Sequence, residues 1–194
     1  MKIKIGHYNW AELAAKGTFY PDDLPEEWQL SFYANEFECV ALDLSQFTEC
    51  ETLAEWVDDL PDTFDLLVMA TDDKQWQLLE CLLNEEDVNI KTILCDEPLL
   101  ELWKEKLNQL SVRYLSYPAE AVELGNKKVG YKLADKKCEV VFIEQSQTLK
   151  QWRAIVDQWL SNQSNEENYL LLNAQNVTAG ELSNLRMMIE MMGY

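Results

Sequence analysis

This chain of 194 residues is short of histidine, of cations in its first half, and of any sequence signature that names a reaction. His7 is its single histidine, so a structural zinc site of the Cys/His type lacks ligands. No run of about eighteen apolar residues occurs, which excludes a helical membrane span. The opening MKIKIGHYNW has none of the apolar core that a secretory signal carries. The phosphate-cradling patterns G-x-x-x-x-G-K-[ST] and G-x-G-x-x-G are missing, and so are G-x-S-x-G and H-E-x-x-H.

Cations are scarce where acids are dense. The net charge is −19, and residues 1–100 carry 23 acids against 5 bases, whereas residues 101–194 carry 12 against 11. Such a surface repels phosphate backbones and anionic lipid, so neither nucleic acid nor membrane is expected as a partner. A basic partner or cations would be attracted, although solubility alone also accounts for the charge. Five cysteines (Cys39, Cys50, Cys81, Cys95, Cys138) are odd in number, lie in apolar stretches and form no C-x-x-C pair. They read as reduced core residues of a cytoplasmic protein. With no histidine near any of them in sequence, a thiol nucleophile is disfavoured.

What is present is an ordinary globular composition, 47% hydrophobic and 26% charged, with six glycines and five prolines. It predicts one domain over residues 1–194. Short apolar runs at Lys2–Tyr8, Cys39–Leu44, Asp65–Ala70, Lys91–Cys95 and Val112–Tyr117 read as strands buried on both sides. Between them, amphipathic stretches predict helices over Pro25–Glu36, from Thr48 to Leu60, from Thr71 to Asn84 and from Asp96 onward. The inward side chains would be Leu53, Trp56, Val57 and Leu60, then Trp76, Leu79 and Leu83, then Leu99, Leu102, Trp103 and Leu107. This β-α repetition points to a parallel sheet with right-handed crossovers.

After Pro118 the rhythm breaks. A short helical turn is expected over Ala119–Leu124. Val129–Leu133 and Cys138–Glu144 are strand-like with only four residues between them, too few for a crossover helix, so an antiparallel hairpin is predicted near 129–144. A helix opened by Ser146 or Thr148, the polar loop Ser161–Asn168, the strand Tyr169–Asn173 and a helix capped by Thr178 and Glu181 complete the chain. The first of these helices would turn Leu149, Trp152, Val156, Trp159 and Leu160 inward, and the second Leu182, Leu185, Met188, Ile189 and Met192. The run Met187–Met192 offers one adaptable edge on a core-facing helix. A complete (β/α)8 barrel takes around 250 residues. The prediction is therefore a reduced or distorted TIM-like barrel, mostly parallel, with an open doubly wound α/β sheet as the alternative.

One local pattern goes further. Gly6-x-x-x-Trp10 after the first strand is followed by Phe19-Tyr20-Pro21, by helical aromatics at Phe32, Tyr33 and Phe37, and by Asp43-Leu44-Ser45 at the end of the second strand. Together with a Trp-bearing helix (Trp152) and a strand closing on Asn173, this resembles the YecE-like family, also called domain of unknown function 72. The resemblance implies a TIM-type barrel and a shortened, divergent member. It also implies a Lys at the end of the third strand and an Arg and a His near the end of the seventh. Here those stretches read Met69-Ala70-Thr71 and Phe142-Ile143-Glu144-Gln145, so an anion site would lose its charge-assisted hydrogen bonds.

In parallel α/β folds sites lie at the carboxyl ends of strands. That rule gives Asp43 and His7 as catalytic candidates, and Asn9, Trp10, Tyr20, Ser45, Glu144 and Asn173 as ligand-binding candidates. Thr71, Asp72, Asp96, Glu97 and Tyr117 share those ends. Each has a structural competitor. Helix capping accounts for Thr71, Asp96, and Ser45 or Thr48; His7 can be a hydrogen-bonded core residue; Trp10 and Tyr20 can be core aromatics. Asp43 stands between Leu42 and Leu44, and capping accounts for it less readily. No metal site is assigned, and the sequence names no cofactor.

Two functions of different class fit. In one, the protein has lost the family's cationic site and acts by binding or assembly, through a protein partner or a small polar ligand. In the other, it is a small enzyme with a carboxylate-based site at Asp43, with or without a divalent metal, acting on a small polar, sugar-like substrate. Oligomeric state is not legible.

Overall fold

The computed structural model describes residues 2–8, 10–16, 19–85, 88–116, 120–124, 127–135, 137–160 and 166–194. Among them nine strands run in chain order: β1 (Lys2–Tyr8), β2 (Cys39–Asp43), β3 (Asp65–Met69), β4 (Ile90–Cys95), β5 (Tyr114–Ser116), β6 (Glu120–Leu124), β7 (Lys127–Ala134), β8 (Cys138–Ile143) and β9 (Glu167–Asn173). Six α-helices accompany them: α1 (Gln29–Glu36), α2 (Cys50–Val57), α3 (Trp76–Asn84), α4 (Glu97–Gln109), α5 (Leu149–Leu160) and α6 (Ala179–Met191).

All nine strands form one sheet, in the order β5-β4-β3-β2-β1-β9-β8-β7-β6. Strands β1 to β5, β8 and β9 pair in parallel, and β9 lies directly beside β1. The first and last strands of the chain thus meet as they do in a barrel. Strands β6, β7 and β8 pair antiparallel in succession, so the expected hairpin exists and is joined by a third strand.

Two apolar layers show how the sheet curls. One packs the helices against the outer face. The other is an inner cluster that joins Tyr8, Ala41, Leu67, Leu94 and Leu115 from one half of the sheet to Leu133, Phe142, Tyr169 and Leu171 from the other. A doubly wound sheet would carry helices on both faces; here one face closes on itself. Among the described residues β5 and β6 are not paired with each other, so the structure is a curled half-barrel.

Local chemistry explains the starts of α4 and α6. Asp96 accepts the Leu99 N–H at 2.9 Å, and Thr178 and Glu181 form the expected capping box. Gly6 is required by packing: a Cβ there would lie 2.0 Å from the Cys39 carbonyl oxygen on the neighbouring strand.

Several expectations are corrected. Residues 120–124 form β6 and not a helical turn, because pairing with β7 overrides the helix-favouring Glu-Ala-Val-Glu-Leu; Ala119 lies outside the described residues. Ahead of α3 the capping side chain is Asp72 and not Thr71: its carboxylate accepts the Lys74 N–H and caps a 3-10 turn over Asp73–Gln75 that runs into α3. Before α2, Glu49 holds the cap position with no side-chain bond. Leu102 is exposed because it falls off the inward stripe of α4, where Leu100 faces inward instead; Leu149 is exposed as the first residue of α5, whose buried side chains begin at Trp152 and include Ile155. The reduced state expected of the cysteines holds for Cys39, Cys95 and Cys138, which are buried and free. Cys50 and Cys81 form a disulfide between α2 and α3, because their helices stand side by side and bring the Cα atoms within 5.9 Å.

Candidate functional site

The carboxyl ends of the strands are where a barrel of this type carries a site. Among the described residues, rings from three strands pack together in the inner space at that end. Tyr8, at the end of β1, meets Phe142, near the end of β8, edge-on at 5.4 Å between centroids. Tyr131 of β7 stacks on the other side of Phe142 at 4.8 Å and 15°. Met69, at the end of β3, packs against the same inner cluster. The inward position at the end of the third strand therefore carries a thioether where the resemblance implies a cation.

The polar candidates around this plug are engaged in their own turns. The Asp43 carboxylate accepts the Ser45 N–H at 2.8 Å and caps a single turn of 3-10 helix over Leu44–Gln46. Ser45 is exposed and contributes its backbone only. Asn173 repeats the device at the end of β9, its side-chain oxygen accepting the Gln175 N–H at 3.0 Å. Glu144 is tied down through its backbone, its N–H to the Val129 carbonyl at 3.1 Å and its C=O to the Asn176 side-chain amide at 2.7 Å. Gln175 reaches across to Glu12 at 2.6 Å, linking the loop after β9 to the segment after β1.

His7, Trp10 and Tyr20 belong to a different layer. His7 is fully buried on the outward face of β1, edge-on to Tyr33 and Phe37 of the α1 region. Trp10 is fully buried against Trp56 and Tyr33. Tyr20 packs with Phe19 against Phe32, and burial pushes its hydroxyl above the usual tyrosine range. The Gly-x-x-x-Trp and Phe-Tyr-Pro pattern thus builds an aromatic layer under α1. The structure brings His7, Trp10 and Tyr20 into that layer, while Asp43, Ser45, Glu144 and Asn173 occupy strand-end turns. Asn9 and Tyr117 lie outside the described residues. Among the described residues no three or more His, Cys, Asp or Glu side chains are grouped to hold a metal ion.

Sequence reasoning missed the strongest polar cluster, which lies at the opposite end. Asp65, 1% exposed, opens β3 inside the barrel. It is held by Lys4 at 2.7 Å, by the Tyr169 hydroxyl at 2.8 Å and by Asn89 at 2.8 Å, with Lys91 at 3.8 Å. Arg113 pairs beside them with Glu167. Conserving order at the amino end of a barrel serves stability. The one available signal was a carboxylate inside the apolar run Phe64-Asp65-Leu66.

Residues 4–74 match the model of a family described as "Protein of unknown function DUF72". Two solved structures of DUF72 family proteins share the fold. One, from Thermotoga maritima MSB8, has a TM-score of 0.64 at 12% identity, over 98% of this chain and 100% of that one. The chain is thus similar to DUF72 proteins over residues 4–74 and in its fold. The second DUF72 structure, from Enterococcus faecalis V583, has a TM-score of 0.52 at 11% identity, over 99% of this chain and 98% of that one. No curated protein matches the chain. The DUF72 match spans β1 through the start of the segment after β3, the part that holds the aromatic layer, Asp43 and Asp65. No helix among the described residues is long and apolar enough to cross a membrane.

Proposed function

We propose that this DUF72-like protein is a non-catalytic barrel that acts by binding or assembly through its outer surface. One observation carries the reading: among the described residues, the packed rings of Tyr8, Phe142 and Tyr131 occupy the inner mouth at the carboxyl ends. The strand-end carboxylate and amide, Asp43 and Asn173, serve the turns around that plug. An acid–base or ligand-holding role would need such groups to converge on a reactant. The strongly acidic first hundred residues suit a basic protein partner, which charge would draw in at long range.

The test is a thermal melt of wild type and Asp43→Asn with EDTA, with Mg²⁺, Mn²⁺ and Ca²⁺, and with simple sugars. Small, equal shifts in both proteins are expected. A ligand saturating a specific site at a hundred times its dissociation constant stabilises by about 2.7 kcal/mol. For a chain of this size that is roughly 5–10 °C. A shift of that size with one ligand, lost in Asp43→Asn, would overturn the reading in favour of a carboxylate-centred enzyme.

A further inference from the structure

The disulfide between Cys50 and Cys81 differs from the other cysteines in position and in access. Cys39, Cys95 and Cys138 are buried thiols on strands. Cys50 is the first residue of α2, Cys81 lies within α3, and both are half-buried in the helix layer. Cys50 also lines an open cavity of about 570 Å³ beside the starts of α2 and α3, at the carboxyl ends of β2 and β3. A small molecule entering that cavity meets Cys50, whose Sγ lies 3.7 Å from the carbonyl oxygen of Gln77 in the same lining, without unfolding the chain. Exchange at a disulfide requires that kind of access, because a thiolate must approach one sulfur directly.

The cavity also has a charge. Glu49 and Glu51 stand on either side of Cys50, and among the described residues Lys74 is the one cation of the lining. Both glutamates are exposed, and Glu49 makes no capping bond that its loss would break. The surrounding half of the chain is acidic throughout, with 23 acids against 5 bases in residues 1–100. An anionic thiol is repelled there and a cationic one is drawn in.

We propose that Cys50–Cys81 is a thiol–disulfide exchange site, a modification site of this protein that takes up neutral or cationic thiols in preference to anionic ones. In the first step a thiolate attacks Cys50 Sγ, a mixed disulfide forms there, and the Cys81 sulfur leaves with the bond's electron pair and takes a proton. A second thiolate then attacks the outer sulfur of the mixed disulfide, releasing Cys50 as a thiolate that is protonated in turn. Two low-molecular-weight thiols are oxidised to one disulfide while the protein cystine is reduced to two thiols. The site is separate from the plugged mouth and does not rest on the binding reading above.

The experiment uses the full, air-oxidised chain at low salt, without denaturant. Cysteamine, 2-mercaptoethanol and mercaptoacetate are each added, and newly exposed thiols are alkylated and mapped by mass spectrometry. Rates are expressed per thiolate and normalised to a small reference disulfide. Cys50 and Cys81 should become alkylated while Cys39, Cys95 and Cys138 stay protected. Cysteamine should act at least about threefold faster than mercaptoacetate, and Glu49→Gln/Glu51→Gln should shrink that gap. Five free thiols in the oxidised chain, or a bridge that resists all three reagents until urea unfolds the protein, would overturn the site. Equal normalised rates in wild type, or a gap unchanged by the double substitution, would overturn its charge preference.

Discussion

The Tyr33 hydroxyl accepts the backbone N–H of His7 at 2.8 Å, joining a residue of α1 to one of β1. Tyr33 is fully buried on α1, and its hydroxyl also donates to the Cys39 carbonyl at 3.3 Å. One phenol therefore ties α1 to the edges of β1 and β2 together. Phenylalanine would keep the ring contacts and remove these two hydrogen bonds together with the hydroxyl's contact to His7 Nδ1 at 3.3 Å. Tyr33→Phe should cost about 1–3 kcal/mol in a urea titration. A loss below about 0.5 kcal/mol would show that the hydroxyl is not the staple described.

Asp65 is the electrostatic counterpart at the amino end of the barrel. It holds Lys4, Asn89 and Tyr169 from three separate segments, one of them 104 residues away from it. Removing one member of a buried ion pair leaves the other charge stranded, at a cost of about 3–5 kcal/mol. Asp65→Ala should fall in that range, and Lys4→Met with Asp65→Leu should recover part of it. If the single substitution is neutral by denaturant unfolding, the cluster does not organise the barrel base.

Ser111 is the single non-glycine residue with positive φ among the described residues, at 56°. It follows α4, where its N–H bonds the Asn108 carbonyl and the Val112 N–H bonds the Leu107 carbonyl. That pair of bonds is the Schellman ending, whose left-handed position favours glycine. Ser111→Gly should therefore stabilise the fold, by about 0.5–1 kcal/mol in excess of glycine's entropic cost. Calorimetry showing a lower melting temperature would contradict this account of the turn.

What the sequence revealed follows from how local each signal is. Parallel strands buried on both sides leave continuous apolar runs such as Asp65–Met69, and caps such as Asp96 and Thr178 act over three residues, so both could be read directly. Glu120–Leu124 could not, because its residues favour helix and only pairing with β7 makes it a strand. The disulfide joins residues 31 positions apart on two helices whose adjacency only the fold supplies. The same holds for Asp65 and for the His7–Tyr33 bond. Strand-end residues such as Asp43 and Asn173 were legible as a list; that they serve separate turns around an aromatic plug depended on tertiary packing.

Alkaline conditions should expose the buried acids of the core. Burial, helped by Asp96 nearby, pushes the Cys95 thiol up to about 11. Burial pushes Cys138 up to about 12 even though Arg113 opposes it. Burial also raises the Tyr33 hydroxyl, and burial with the Asp65 carboxylate raises that of Tyr169. In the unfolded chain thiols lose their protons near 8.5 and phenols near 10. The folded state thus keeps protons that the unfolded state gives up. Stability is fully present below about pH 8.5 and declines as pH rises toward the folded values, by about 1.4 kcal/mol per pH unit for each group in its window. Urea midpoints should be level from pH 7 to 8, fall between 9 and 10, and fall more steeply above 10 as the tyrosines join. Cys95→Ala lowers stability at pH 7 but removes one thiol's share of the slope between pH 9 and 10. An unchanged slope in that variant would show that Cys95 does not titrate with unfolding.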